Sequence, residues 1–250
     1  MSTTVFEALP DEETIAAFRE KGYAAALDRF SYRDIWARMH ARRFTVAKAL
    51  SDDVLGAIRK AVDEAIAEGV TYETFLKKLE PVLKDLGWWG RDTMIDPRTG
   101  LTEEVQLGSA RRLRIIYDTN LRSARAAGRW ERAQRNKALM PYFQYIQVDR
   151  PSKRDAHKPF DGIVLPVDHP LWKTHWPPNG WQCGCYARQV SKARMRRETL
   201  EVTPEDRVDE ISETRAVHDK RNGVTRQVPK GIDPSFEHNA GLSRYDPDAA

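Results

Sequence analysis

The chain has 250 residues, 31% of them charged and 40% hydrophobic, with a formal net charge of +4. That length suits one large domain or two small ones, and the composition allows a real core. No apolar run approaches the roughly 18 residues of a membrane span, and so mild a net charge does not by itself argue for nucleic acid.

The opening MSTTVFEALPDEET has neither a basic n-region nor an apolar h-region. No secretory signal is therefore expected, and synthesis in a cytoplasm is the simple reading. Residues 11–50 read as helical. Asp11 is placed to cap the first helix, Glu13 suits its first turn, and Ile15, Phe18 and Tyr23 are candidate core contacts. Ser31 is the expected cap of a second helix carrying Ile35, Trp36, Met39 and His40 toward Phe44 and Val46. A third helix starts at Ser51, repeats Val54, Leu55, Ile58, Val62 and Ile66 at helical spacing, and stops at Gly69. A fourth starts at Thr71, and Pro81 is expected to break or kink it.

Residues 88–109 carry Asp-Pro and Thr-Gly pairs and read as an exposed loop between helices, with the character of a hinge. Residues 110–138 read as one long helix. Leu113, Ile116, Tyr117, Leu121, Ala124 and Gly128 form its narrow apolar seam, and the small residues allow another element to approach closely. Another face carries Arg111, Arg114, Arg122, Arg125, Arg129 and Arg132. Residues 108–137 hold eight Arg and one Lys against one Asp and one Glu, the one strong charge cluster in the chain.

The pattern then changes. PYFQYIQVD (141–149) alternates like a strand, GIVLPVD (162–168) reads as a second and CYARQV (185–190) as a third. A small sheet packed on helices makes the fold class α+β. Three parts are expected: a helical N-terminal region over 1–107, an α+β core over 108–190, and a C-terminal extension over 191–250. The extension opens with the basic helical piece KARMRRETLEV and ends in the turn-rich DPSFEHNAGLSRYDPDAA.

Both cysteines of the chain, Cys183 and Cys185, lie in HWPPNGWQCGC. A bridge between them would close a very small, strained ring, so the thiols are expected to be reduced or metal-bound. With His157, His169 or His175 they offer the ligand types of a tetrahedral zinc site. Packing without metal is the alternative. In DRPSKRDAH (149–157), Asp149, Arg154, Asp155 and His157 can be read as an acid–base and phosphate-clamping set, or as a salt-bridged loop pinning a strand to the long helix. The arginine face can grip phosphates, meet an acidic protein, or simply be solvated. The tryptophans read as core or loop anchors. Walker A, dinucleotide-glycine, H-E-x-x-H and G-x-S-x-G patterns are all missing.

IIYDTNLRSARAAGRWERA followed by YFQYIQVDRPSKRDAHKPFDGIVLPVDHPLWKTHWPPNGWQCGC resembles the phage Mu F-like head morphogenesis proteins. The shared features are a Thr-Asn before an Ala/Gly-rich helix, Asp149 ahead of Arg154 and His157, Gly162 before a short strand, Trp172, Pro-Pro-Asn-Gly-Trp and the closing Cys-x-Cys. FREKGYAAALDRF, RRFTVAKAL, the GWWG stretch and DPSFEHNAG extend the likeness to most of the chain, most densely over 108–190. PSKRDAH departs from the family, which usually carries a Thr next to the Arg.

The resemblance implies a minor, non-enzymatic head protein of a tailed double-stranded DNA phage or prophage, located in the virion. It would act in capsid assembly near the portal, with portal protein, scaffold and capsid proteins as partners and contact with packaged DNA. The rival is a nuclease or toxin-like domain using Asp149, Arg154 and His157. Residues 191–250 show no catalytic set, so a fused toxin is not expected there. The Pro-Pro-Asn-Gly turn is expected to aim Cys183 and Cys185 back at the loop carrying His157.

Overall fold

A computed structural model describes residues 11–151 and 153–245. The first ten residues, which hold most of the opening segment MSTTVFEALPDEET, fall outside the description. So do residue 152 of the 149–157 loop and the last five residues of the tail.

Asp11 caps α1 (Glu12–Arg19) as expected, its carboxylate accepting from the Thr14 N–H. The helix ends far sooner than the sequence reading had it. Arg43–Phe44 (β2) pairs in parallel with Gly22–Tyr23 (β1), so this backbone is used in a two-strand ladder instead. Phe18 is buried, whereas Tyr23 is 52% exposed. The second helix is also a correction. Ser31 opens a turn closed on the Asp34 carboxylate, and only Met39–Arg42 (α2) is helical. Short polar side chains at 31 and 34 bond the local backbone in competition with a helix.

α3 (Asp52–Ala67) starts on the Ser51 cap and stops before Gly69, which sits at φ +69° where other residues are strained. α4 (Tyr72–Asp85) runs through Pro81 without breaking. Pro81 is exposed, so the carbonyl it leaves unpaired one turn earlier can turn to water. Residues 88–109 are not a loop. Arg91–Ile95 (β3) and Thr102–Gln106 (β4) form an antiparallel hairpin whose tip is the Asp-Pro…Thr-Gly turn. The turn signals were real, but of these strands only Val105 is fully buried, so the alternation that marks a strand is missing.

α5 (Ala110–Asn136) is the spine of the molecule, about 40 Å long at the usual rise. Its first half completes one core, with Leu113, Ile116, Leu121 and Ala124 packed among Phe18, Leu55, Ile58, Phe75 and Leu83. Its second half enters another, with Ala126 and Ala133 against Phe143, Tyr145, Leu165, Trp172 and Trp176. The three expected strands are present: β5 (Tyr142–Ile146), β6 (Val164–Pro166) and β7 (Tyr186–Val190). They pair antiparallel in the order β6-β5-β7. Trp130, Phe143, Trp172 and Trp176 pack edge-on or stacked at centroid distances of 4.8–6.0 Å, joining sheet to helix.

The expected basic helix follows as α6 (Lys192–Arg197). Beyond it the extension is more ordered than its composition suggests. α7 (Glu205–Ser212) leads into a hairpin of β8 (Thr214–Asp219) and β9 (Val224–Pro229). Arg221 in that hairpin's turn pairs with Asp34 and Asp96, tying the tail to the N-terminal region and to the tip of the β3–β4 hairpin. No helix among the described residues is long and apolar enough to cross a membrane.

Candidate functional site

His157, Cys183 and Cys185 converge. Their ligand atoms lie within 4.8 Å of one another, and His157 Nδ1 is 3.5 Å from each sulfur. His157 is carried on a 3-10 turn (Asp155–Phe160) after β5, and its ring lies over Phe160. The sulfurs come from the turn between Pro-Pro-Asn-Gly and β7. That turn is held from three sides. Asn179, fully buried, accepts a hydrogen bond from the Tyr145 hydroxyl at 2.8 Å and gives its own amide to the Trp176 carbonyl. Asp233 accepts from the Trp181 N–H and from Arg154. Arg122 of α5 donates to the carbonyls of Gln182 and Cys183 at 3.0 and 2.6 Å.

Two glycines make this approach possible. A Cβ on Gly180 would lie 2.5 Å from Asp233 Oδ2, and one on Gly184 would lie 2.9 Å from the Arg150 guanidinium carbon. Arg150 therefore sits directly against the middle of the Cys-x-Cys. The two cysteines are free and unequal. Hydrogen bonding from Cys185 pulls the Cys183 thiol well below its ordinary range, with His157 acting in the same direction. The same bond, together with burial, pushes Cys185 up.

The other two histidines of the expected ligand set lie elsewhere. His175 is buried with Nε2 on the Ile211 carbonyl (3.2 Å) and Nδ1 on the Thr174 hydroxyl (2.9 Å). His169 accepts from the Leu171 N–H and faces Glu205. Each already has a structural role, so both are removed from the set.

The acid–base reading of 149–157 finds no convergence. Asp149 is exposed and paired with Lys153, Arg154 is spent on Asp233 and the Trp181 carbonyl, and Asp155 is exposed. His157 faces the sulfurs instead.

Most of the arginine face is engaged within the molecule. Arg114 lies 3.7 Å from the Tyr72 ring centroid and near Glu73, and Arg129 is over Tyr186. Arg132 pairs with Asp11 and Glu13, and Arg122 holds the cysteine turn. Arg111 and Arg125 are exposed.

Sequence reasoning did not single out Tyr145, Arg150, Asn179 or Asp233. The signal for two of them was available, since Asn179 lies in the Pro-Pro-Asn-Gly turn and Asp233 in DPSFEHNAG. That the second segment seals the first is a long-range fact that neither shows alone.

The family described as Phage Mu protein F like protein matches residues 56–188, more than half of the chain. The chain belongs to this family. It is 43% identical over 195 residues to the "Putative capsid assembly protein F" of Escherichia phage Mu, covering 78% of this chain and 44% of that protein. It is 35% identical over 221 residues to the "Mu-like prophage FluMu F protein" of Haemophilus influenzae, covering 84% of this chain and 52% of that protein. The chain spans about half the length of these two relatives. No solved structure matches it. The matched region holds α5, β5, β6, His157, both cysteines and the first three residues of β7.

Proposed function

We propose that this protein acts in head morphogenesis of a Mu-like phage or prophage, as a minor component of the assembling capsid near the portal. The observation that carries this reading is the match of residues 56–188 to the Mu F family, joined to 43% identity with a capsid assembly protein. Portal protein, scaffold and capsid subunits are the proposed partners, and the virion is the proposed destination. The structure is consistent with a framework role. Its buried charges and tryptophans hold elements together, and Asp149, Arg154 and His157 do not assemble into a catalytic set.

Contact with packaged double-stranded DNA falls in this proposal to Arg111 and Arg125, two exposed cations of the long helix; Arg135 is exposed as well but is paired with Glu13. Phosphate contacts of this kind weaken steeply with salt. The test is in-cell cross-linking in the induced host, followed by affinity capture of this chain. Portal or capsid subunits among the cross-linked partners support the reading. Cross-links confined to non-phage proteins contradict it.

A further inference from the structure

We propose that His157 Nδ1, Cys183 Sγ and Cys185 Sγ bind one zinc ion whose fourth position is open to an exchangeable water or small anion. The inference stands independently of the assembly reading. Zinc–sulfur bonds of about 2.3 Å and a zinc–nitrogen bond of about 2.05 Å at tetrahedral angles place nitrogen and sulfur about 3.5 Å apart. Both observed separations are 3.5 Å. Two thiolates and an imidazole are a soft donor set that suits zinc.

Burial supports the same assignment. Cys183 is 2% exposed and His157 1%. Without an ion, an imidazole nitrogen in this interior would have only sulfurs, which are weak hydrogen-bonding groups. The opposite ring nitrogen, Nε2, is buried with no partner. Leaving a buried Nδ1 with sulfurs alone is costly, and a metal–nitrogen bond at Nδ1 offsets that part of the cost, while Nε2 then carries the ring proton and gains nothing from it. The elements that carry the ligands are held by other contacts, through Asn179, Asp233 and Arg122, so the three atoms meet in a preformed arrangement.

The fourth position follows from what borders the cluster. A cleft of about 10 Å³ touches all three ligands and is walled by Gln147, Arg150, Lys153 and Arg154. That is room for about one water. His169 and His175 are committed elsewhere, and no further Cys, His, Asp or Glu among the described residues joins the group. Lys153 and Arg154 are already paired with Asp149 and Asp233, so Arg150, packed against Gly184, is the cation that favours a hydroxide or a small anion as the outer ligand. Protein ligands numbering three, with one site left to solvent, make a centre unlike the closed four-ligand type.

The test begins with the full chain, purified without a metal-affinity tag, and elemental analysis of bound zinc, iron and copper. The proposal expects about one zinc per chain, removed by chelator with a fall in melting temperature and restored by one equivalent of zinc. His157→Ala and Cys183→Ser should each lose the ion while His169→Ala keeps it. Because a ligand variant can misfold, the wild-type protein loaded with cobalt is the second measurement. Thiolate-to-cobalt absorption should appear and should shift when azide or thiocyanate is added.

No zinc uptake by the chelated wild type overturns the site, as does full zinc retention in a Cys183→Ser/Cys185→Ser double variant. Tightly held iron or copper in place of zinc overturns the identity of the ion. A cobalt spectrum that ignores added anions overturns the open position.

Discussion

Gly128 of α5 lies so close to Thr14 of α1 that a Cβ there would sit 2.4 Å from the Thr14 hydroxyl oxygen and 2.8 Å from its backbone nitrogen. Backbone cannot give way as a flexible side chain would, so α1 would have to move off the spine. Gly128→Ala is therefore expected to destabilise by about 1–3 kcal/mol, despite the roughly 1 kcal/mol that alanine gains in a helix. Gly56 in α3 meets nothing within 4 Å of its would-be Cβ, so Gly56→Ala should stabilise by about 0.5–1 kcal/mol. Urea denaturation of the two variants should shift the midpoint in opposite directions.

Arg221 joins three distant parts of the chain. Its guanidinium meets Asp34 and Asp96, whose side chains are 0% and 1% exposed. Its hydrogen bonds hold the Asp96 carboxyl down to about 2. Arg221→Met would take the paired cation from Asp96 and leave Asp34 with the more distant Arg98, at an expected cost of about 3–5 kcal/mol. The same measurement on an Arg221→Met/Asp34→Asn/Asp96→Asn triple variant should recover part of the loss. No recovery would mean that packing, not charge, sets the effect.

Acid should unfold the protein through its buried histidines. Burial lowers His40 and His175 to about 4 and His238 to about 3, from an ordinary 6.5. Lys21 adds repulsion on His40, and His40 and Lys21 add it on His238. The folded state thus binds fewer protons than the unfolded state below about pH 6.5, and stability rises with pH in that window. It is fully present above 6.5 and drains as pH falls toward 4. Each ring contributes at most about 1.4 kcal/mol per pH unit. Stability measured from pH 8 to 4.5 should be flat at first and steepest near pH 5. A profile flat down to 4.5 would contradict the assignment.

The long helix should separate its arginines by task. Arg122→Ala leaves the carbonyls of Gln182 and Cys183 without their donor, which should cost about 1–3 kcal/mol. Arg111→Glu and Arg125→Glu lie on exposed positions and should leave stability within about 0.5 kcal/mol, while reducing DNA retention at low salt. Equal loss of DNA retention in Arg122→Ala, with its fold intact, would redistribute the contact along the helix.

Elements built on one apolar face were legible in the sequence. α3, α4, α5 and the β5–β6–β7 sheet each carry enough periodic hydrophobic residues to fix type and approximate extent. The β3–β4 and β8–β9 hairpins escaped because most of their side chains face solvent, so period two carries no hydrophobic signal. Asn222-Gly223 at the second tip was the available clue. The stretch from Gly22 to Phe44 misled in the other direction, since its helix-compatible composition is overruled by Phe44, which is buried against Phe18 in T-shaped contact at 5.6 Å. At the candidate site, residue types and the turn pointed to His157, Cys183 and Cys185, whose ligand atoms the fold brings within 4.8 Å of one another. His169 and His175 were indistinguishable from ligands until their hydrogen bonds to Leu171 and Ile211 were seen.

The central claim is that this chain is a minor part of the phage head. Quantitative mass spectrometry of gradient-purified heads from the induced host, reporting copies of this chain per major capsid subunit, tests it most directly. The account predicts a low and reproducible stoichiometry in assembling heads. Absence from every head intermediate, with the protein free in the lysate, would contradict it.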